Sequence, residues 1–138
     1  MAIIQKEIEL AGSKGKTKEN ALFDSGATYS CIRKEIAESL GNLEKLPESL
    51  ELGTAKKGEK LIVNEAIRLD FHLNGYRFSD EFIVIEELSE RVIIGAKTLQ
   101  SWRLKLDFEN DEVVIDPRVT KIRLLKVKVS LPTRSNEL

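Results

Sequence analysis

Apolar and polar residues alternate with a period of two over most of the chain, which is typical of β-strands that bury one face. Near the N-terminus, Ile4, Ile8 and Leu10 fit one face of a strand, and the polar residues 12–16 predict a turn after it. A short apolar run at 21–23 predicts a second strand. The chain therefore opens with the pattern of a β-protein.

Two β-hairpins are predicted further along the chain, one from 61–73 with 76–85 and one from 104–108 with 113–115. The first turns at Asn74-Gly75, a dipeptide that two-residue hairpins favour because both turn positions need a positive φ. The second turns at Asn110-Asp111, and Pro117 ends it. These hairpins add four strands to the expected sheet.

Two segments depart from this alternation and predict short helices. Apolar residues recur at every fourth position from Ile32 to Leu40, with Ser30 as the expected N-cap and Gly41 as the expected stop. Residues 95–102 predict a second helix. The fold class is therefore all-β with one or two short helices, a small barrel or sandwich rather than alternating βα units.

Composition narrows the classes of function. A length of 138 residues fits one domain, and a net charge of −1 argues against a dedicated nucleic-acid binder. No apolar run is long enough for a membrane span, and the N-terminus lacks the layout of a signal peptide, so we expect a cytoplasmic protein. A single cysteine, Cys31, excludes a disulfide within the chain, and a single histidine, His72, excludes a His-rich metal site.

Charge is unevenly spread along the chain. Six basic residues and no acidic residue lie between Arg118 and Arg134, which leaves 16 basic and 23 acidic residues elsewhere, a net charge of −7. Apolar residues interleave with these basic ones, which predicts an edge or interface strand whose lysines discourage aggregation. The alternative is a basic tail that docks on an acidic surface of a partner subunit, on nucleic acid or on anionic lipid.

Two motifs carry candidate chemistry. Asp24-Ser25-Gly26 follows an apolar strand and is, taken alone, an ordinary turn sequence. Some seventy residues downstream, the apolar run 92–94 leads into Gly95 and then into the second predicted helix.

Together, Phe23-Asp24-Ser25-Gly26-Ala27-Thr28 and Val92-Ile93-Ile94-Gly95-Ala96 resemble the motifs of the retroviral-type aspartic proteases (retropepsins). The closest resemblance is to the cellular and prokaryotic members with D-S-G-A. It covers about residues 2–116 and implies a protease domain at 1–116, followed by a basic C-terminal extension at 117–138. The implied architecture is a closed small barrel of the acid-protease type, one lobe per chain, in a two-fold homodimer.

The resemblance also implies roles for individual residues. Asp24 is the expected catalytic residue, and the active-site support is expected from Ser25, Gly26, Ala27, Thr28, Ile94 and Gly95. The implied flap is a β-hairpin at 50–58 that closes over the substrate. Its expected substrate-binding residues, together with one from the later hairpin, are Leu52, Gly53, Thr54, Ala55, Gly58 and Ile83. The Ser25 hydroxyls are expected to link the two loops of the dimer, and the Gly26 carbonyls to accept hydrogen bonds from the substrate backbone.

The implied function is that of an aspartic endopeptidase acting on an extended peptide or protein. One aspartate per chain suffices only if two chains associate, since two apposed carboxylates then share one proton and activate a water. This chemistry needs no cofactor and no metal. Two departures stand out, because retroviral members usually have an acidic residue where Thr28 stands and an arginine where Ala96 stands. The alternative function is a non-cleaving dimeric module that binds peptides or scaffolds a partner.

Two other candidate functional sites have weaker support in the sequence. Residues 12–17 resemble part of a phosphate-binding loop, but the full pattern needs a glycine where Leu10 stands and a helix afterwards. His72 with Cys31 or Ser30 would make a nucleophile pair. The opposite parity of His72 to its apolar neighbours instead predicts a solvent-facing strand residue, and Trp102 is expected in the core.

Overall fold

The computed structural model describes residues 3–53 and 58–120. Its strands are β1 Ile3–Gly12, β2 Gly15–Asp24, β3 Cys31–Arg33, β4 Glu44–Gly53, β5 Lys60–Leu73, β6 Tyr76–Ile85, β7 Val92–Ile94, β8 Lys105–Asp107 and β9 Glu112–Val114. Its helices are α1 Lys34–Leu40 and α2 Ala96–Ser101, and a 3₁₀ turn spans Pro117–Thr120.

Six strands close into a barrel. They follow the order β1-β2-β7-β3-β6-β5, and β1 pairs again with β5 to close the ring. β4 continues the sheet beyond β5 as an edge strand, and β8 and β9 form a separate small hairpin. An edge strand tolerates proline, and Pro47 lies where the pairing of β4 with β5 shifts register. The predicted mainly β barrel with short helices is confirmed.

Alternation of buried and exposed residues builds the barrel as the sequence predicts. Ile4, Ile8 and Leu10 of β1 are all buried, and the turn after β1 lies at 13–14. The turn between β5 and β6 is Asn74-Gly75, with φ values of 50° and 82°. Both residues therefore have the positive φ that this hairpin turn requires. The second hairpin, β8 with β9, is confirmed as well.

The first predicted helix begins later than expected. Residues 31–33 form β3, and the helix itself spans only Lys34–Leu40. Cys31 pairs with Ile83 of β6 on one side and with Ile93 of β7 on the other. Backbone hydrogen bonds to two neighbouring strands outweigh the four-residue apolar spacing, so the sequence interpretation of this segment was wrong.

The helix ends are a related correction. The N-cap position of α1 is Arg33, without a side-chain capping bond, so Ser30 is not the N-cap. Gly41 does end α1, and its N–H donates to Ala37 O at 3.1 Å. The second helix is confirmed at 96–101, followed by Trp102, which packs edge-on against Phe78 in the core.

Some predicted features lie outside the described residues. They are the flap residues Thr54 and Ala55 and the strand expected after residue 120. Within the described part of the extension, Pro117–Thr120 form a 3₁₀ turn. Across residues 3–53 and 58–120, no helix is long and apolar enough to cross a membrane.

Candidate active site

The two sequence motifs meet because their strands run in the same direction. β2 and β7 are parallel neighbours, with Phe23 opposite Ile94. Parallel strands place their carboxyl ends at the same edge of a sheet. Asp24, which ends β2, and Gly95, which follows β7, are therefore brought side by side across some seventy residues of sequence.

Asp24 is held in a defined position at this edge. Its side chain belongs to a residue that is only 8% exposed, and its Oδ1 accepts a hydrogen bond from Gly26 N at 2.8 Å. The backbone closes the same turn, since Ala27 N donates to Asp24 O at 3.2 Å. A short carboxylate-to-backbone bond of this kind fixes the carboxyl group at the start of the loop.

The loop after Asp24 is bonded to the start of α2 through main-chain atoms. Ala96 N donates to Ala27 O at 2.6 Å, and Lys97 N donates to Thr28 O at 3.1 Å. These carbonyls satisfy N–H groups that the first turn of a helix leaves without partners. A Cβ at Gly95 would lie 2.5 Å from Tyr29 O, so glycine is required where the two segments cross.

A buried pair of hydroxyls lies behind this crossing. Ser30 Oγ is 2.5 Å from Thr98 Oγ1 and accepts a hydrogen bond from Gly95 N at 2.9 Å. Ser30 is 2% exposed and Thr98 is 1% exposed. This role of Ser30 differs from the helix cap that the sequence pattern predicts. Serine, glycine and threonine are common loop residues, so the sequence carried no signal of the contact.

Asp24 opens onto a cleft of about 660 Å³. The loop residues Gly26, Ala27 and Thr28 form one wall with Asp24, and Leu52 of the β4–β5 hairpin lies in another. The other residues that line the cleft are Tyr29, Cys31, Gly53, Leu61, Ile85, Glu87, Leu88, Ser89 and Ile93. The cleft lining is thus part apolar and part polar, and Glu87 is the second carboxylate among the described lining residues.

Six of the predicted site residues line this cleft, namely Asp24, Gly26, Ala27, Thr28, Leu52 and Gly53. Ser25 is exposed and lines a neighbouring groove of about 460 Å³ with residues of α2 and β8. Ile94 and Gly95 are buried behind the loop. Ile83 is 1% exposed, packs in the apolar cluster with Cys31 and Val63 behind the cleft wall, and does not itself line the cleft. Gly58, at a φ of 83°, is exposed just before β5.

Most of the remaining cleft residues were missed from sequence. These residues reach the cleft through the folding of the barrel, which the sequence pattern does not specify. They are Tyr29, Leu61, Ile85, Glu87, Leu88 and Ser89. A partial signal existed for two of them, since 88–89 lie just ahead of the β7 motif.

Cys31 does not act with His72 in this fold. Burial raises the pKa of the Cys31 thiol to about 11, so the thiol is protonated at neutral pH. Cys31 lies beside Ile83, which pairs with Ala66 on β5, and His72 is six residues further along that strand. At about 3.3 Å per residue, this separates the two side chains by about 20 Å. His72 is half-buried between Glu9 and Arg77, so the prediction of a solvent-facing side chain was only partly right.

Among the residues that the structure describes, no three His, Cys, Asp or Glu side chains converge in a way that would hold a metal ion.

The fold and the site together define a class, a small closed β-barrel with a fixed aspartate on a loop that faces a cleft beside a β-hairpin. The sequence matches the family described as retroviral aspartyl protease over residues 13–121. The chain belongs to this family, as the D-S-G-A motif and its downstream partner predicted.

Solved structures show the same fold. The retroviral protease-like domain of Ddi1 from Leishmania major is 22% identical, with a TM-score of 0.62 over 84% of this chain and 90% of that one. The EIAV protease, in complex with the inhibitor HBY-793, is 19% identical, with a TM-score of 0.50 over 75% of this chain and 91% of that one. At these identities the likeness establishes the fold.

Proposed function

We propose that the chain is an aspartic endopeptidase that cleaves peptide bonds as a homodimer, with one Asp24 from each subunit. The observation that carries the proposal is the Asp24 carboxylate itself, fixed by Gly26 N at 2.8 Å and facing a cleft of about 660 Å³. Family membership adds support, since members of this family function as homodimers. A two-fold axis beside the loop supplies a second copy of the same carboxylate from one gene.

The chemistry follows from placing two such carboxylates together. Like charges held close cannot both ionise cheaply, so the pair shares one proton. The ionised Asp24 takes a proton from a bound water, and that water attacks the peptide carbonyl. The protonated Asp24 of the other subunit donates to the oxygen on which negative charge develops. The resulting diol then collapses and the C–N bond breaks. The Asp24 that took the water proton gives it to the leaving nitrogen, and the other Asp24 takes back a proton from a diol oxygen, which restores the pair.

The cleft suits an extended peptide. Its hairpin wall, formed by β4 and β5, takes the role of a flap, and main-chain groups of a strand bind peptides in the manner of an added strand. The apolar side chains of Leu52, Leu61 and Ile93 favour hydrophobic substrate residues on either side of the scissile bond.

Digestion of a mixed peptide library tests the proposal. The native protein and Asp24→Asn are compared side by side between about pH 3 and pH 8, and the products are read by mass spectrometry. Asparagine keeps the size of the side chain but cannot share the proton. Cleavage by the native protein alone is the expected result, and equal cleavage by both would place the activity elsewhere.

Sedimentation velocity tests the dimer. We expect the sedimentation coefficient to rise with concentration toward that of two chains. A chain that stays monomeric at every concentration could not assemble the carboxylate pair, and the proposal would be rejected. A well-folded dimer that binds peptides without cutting any would instead be the non-cleaving module named above.

A further inference from the structure

A second cleft adjoins the one that contains Asp24. It has a volume of about 500 Å³ and runs along the ends of β5 and β6. Three residues line both clefts, namely Leu61, Ile85 and Glu87. Leu61 and Ile85 are largely buried, and Glu87 is exposed. Glu87 is therefore the charged group at the junction, within reach of a side chain that extends from a peptide bound near Asp24.

The charges in the second cleft are mostly negative. Its described lining includes Glu65, Glu86 and Glu87, with Lys34 as the one basic residue among them. Lys34 Nζ lies 3.3 Å from Glu65 Oε1, so this cation is already paired. The described lining of the first cleft adds Asp24 and contains neither lysine nor arginine. Among the described lining residues, negative charge is therefore in excess at the junction.

The pKa of Lys34 shows that a protonated amine is favoured in the second cleft. Its hydrogen bond and ion pair with Glu65 raise the pKa of Lys34, and the charges of Glu86 and Glu38 raise it further. The protonated amine is thus favoured in this part of the molecule. Glu86, one of these groups, lines the second cleft beside Glu87.

Glu87 is also held in place. Arg33 Nε donates to Leu88 O at 3.0 Å, and Arg33 Nη2 donates to Ser89 O at 2.9 Å. These bonds fix the backbone immediately after Glu87. A carboxylate on a fixed segment selects a partner more sharply than one on a moving loop, because less conformational freedom is lost on binding.

We propose that Glu87 is a specificity-determining residue that selects a lysine or arginine side chain of the substrate at the junction of the two clefts. The inference rests on the proposed function for its cleavage readout. Side chains of an extended peptide alternate between opposite faces, so only positions of one parity reach this junction. Because the proposed dimer contains one Glu87 in each subunit, the preference for a basic residue is expected at one substrate position on each side of the scissile bond, with hydrophobic residues preferred elsewhere.

A peptide series that carries lysine or norleucine at each position in turn tests the proposal. The two side chains have similar length and apolar stems and differ in charge. With native protein we expect lysine to raise kcat/KM about three- to fivefold at one position on each side of the scissile bond, as befits an ion pair open to solvent. The gain should disappear in Glu87→Gln and shrink as salt is added. Glu87→Lys should favour glutamate at those same positions.

Glu90→Gln is the matched control. Glu90 is exposed, lies three residues after Glu87 and lines neither cleft. Its substitution changes the net charge equally, so we expect the lysine preference to be retained. The proposal is overturned if Glu87→Gln keeps the preference, if both variants lose it equally, or if lysine is favoured at every position of the peptide. Matching melting temperatures establish that the variants are folded.

Binding separates this inference from the proposed function. The same peptides are titrated into Asp24→Asn, alone and combined with Glu87→Gln, and followed by fluorescence anisotropy. Tighter binding of the lysine peptide that depends on Glu87 supports the inference even if the native protein cleaves nothing, in which case the proposed function alone fails. Binding without any charge preference, or no binding of any peptide, overturns the inference.

Discussion

Replacing Ser30 by alanine tests whether the buried hydroxyl pair holds the Asp24 loop against α2. The Ser30 oxygen accepts from Gly95 N at 2.9 Å and lies 2.5 Å from Thr98 Oγ1. Alanine removes it without changing the backbone. Both the Gly95 N–H and the Thr98 hydroxyl then lose a partner at a place that water does not reach.

The magnitude follows from counting those two groups. A buried polar group without a partner costs about 1–3 kcal/mol, and the Thr98 hydroxyl recovers part of its loss by rotating. We therefore expect Ser30→Ala to lower the free energy of unfolding by about 2–4 kcal/mol. For a chain of 138 residues this corresponds to a fall in Tm of about 6–15 °C.

Urea unfolding followed by circular dichroism measures the effect, with two further variants. Thr98→Val leaves the Ser30 oxygen to accept from Gly95 N, so it should cost about 1 kcal/mol. The double variant should be no less stable than Ser30→Ala, because the Thr98 hydroxyl that loses its partner in Ser30→Ala is absent when residue 98 is valine. Ser101→Ala, an exposed serine on α2, should stay within about 0.5 kcal/mol of the native protein.

Two outcomes would refute this reasoning. One is a Ser30→Ala variant as stable as Ser101→Ala, which would mean that the hydroxyl pair contributes nothing. The other is a double variant whose loss equals the sum of the two single losses, since independent sites add and coupled ones do not.

Three further predictions concern Gly95, Cys31 and Asp116. Gly95→Ala should lower the free energy of unfolding in urea by about 1–3 kcal/mol, because its Cβ would lie 2.5 Å from Tyr29 O. Gly53→Ala is the control and should change the free energy of unfolding little, since nothing lies within 4 Å of the added Cβ. Burial raises the pKa of the Cys31 thiol to about 11 and leaves Cys31 only 7% exposed, so at neutral pH a thiol reagent should modify the folded protein far more slowly than protein unfolded in urea; equal rates would contradict this. Hydrogen bonds from Arg118 lower the pKa of Asp116 to about 2 from an ordinary value of 3.8, so the stabilisation is present above the ordinary pKa and is lost as pH falls through about 2. An NMR titration of the Asp116 carboxyl should show this midpoint, and Arg118→Gln should return it toward 3.8; an unchanged midpoint would rule out the pairing.

The fold could be predicted where local chemistry decides it. The Asn74-Gly75 turn needs positive φ at both residues, and the alternation in β1 exposes one face and buries the other. The start of α1 could not be predicted, because the hydrogen bonds that make 31–33 a strand come from β6 and β7, distant in sequence. The periodicity of a short segment does not indicate which distant strands will pair with it.

The candidate site divides in the same way. Asp24 and Gly95 could be found because each stands in a short motif at the end of a predicted strand. Glu87, Tyr29 and Leu61 could not, since no motif marks them and only the closed barrel brings them to one cleft. A residue that acts through its place in the barrel leaves no local trace in the sequence.

The bonds between the Asp24 loop and α2 run from Ala96 N to Ala27 O and from Lys97 N to Thr28 O. Every amino acid except proline carries both of these backbone groups. The side chains at 28 and 96 do not make these bonds and are therefore open to replacement, whereas Lys97 also contacts the loop through its side chain, since its Nζ lies 5.1 Å from the centre of the Tyr29 ring. A library that varies positions 28 and 96, with Gly95 kept, can therefore change the surface beside Asp24 while the backbone bonds that hold its loop stay in place.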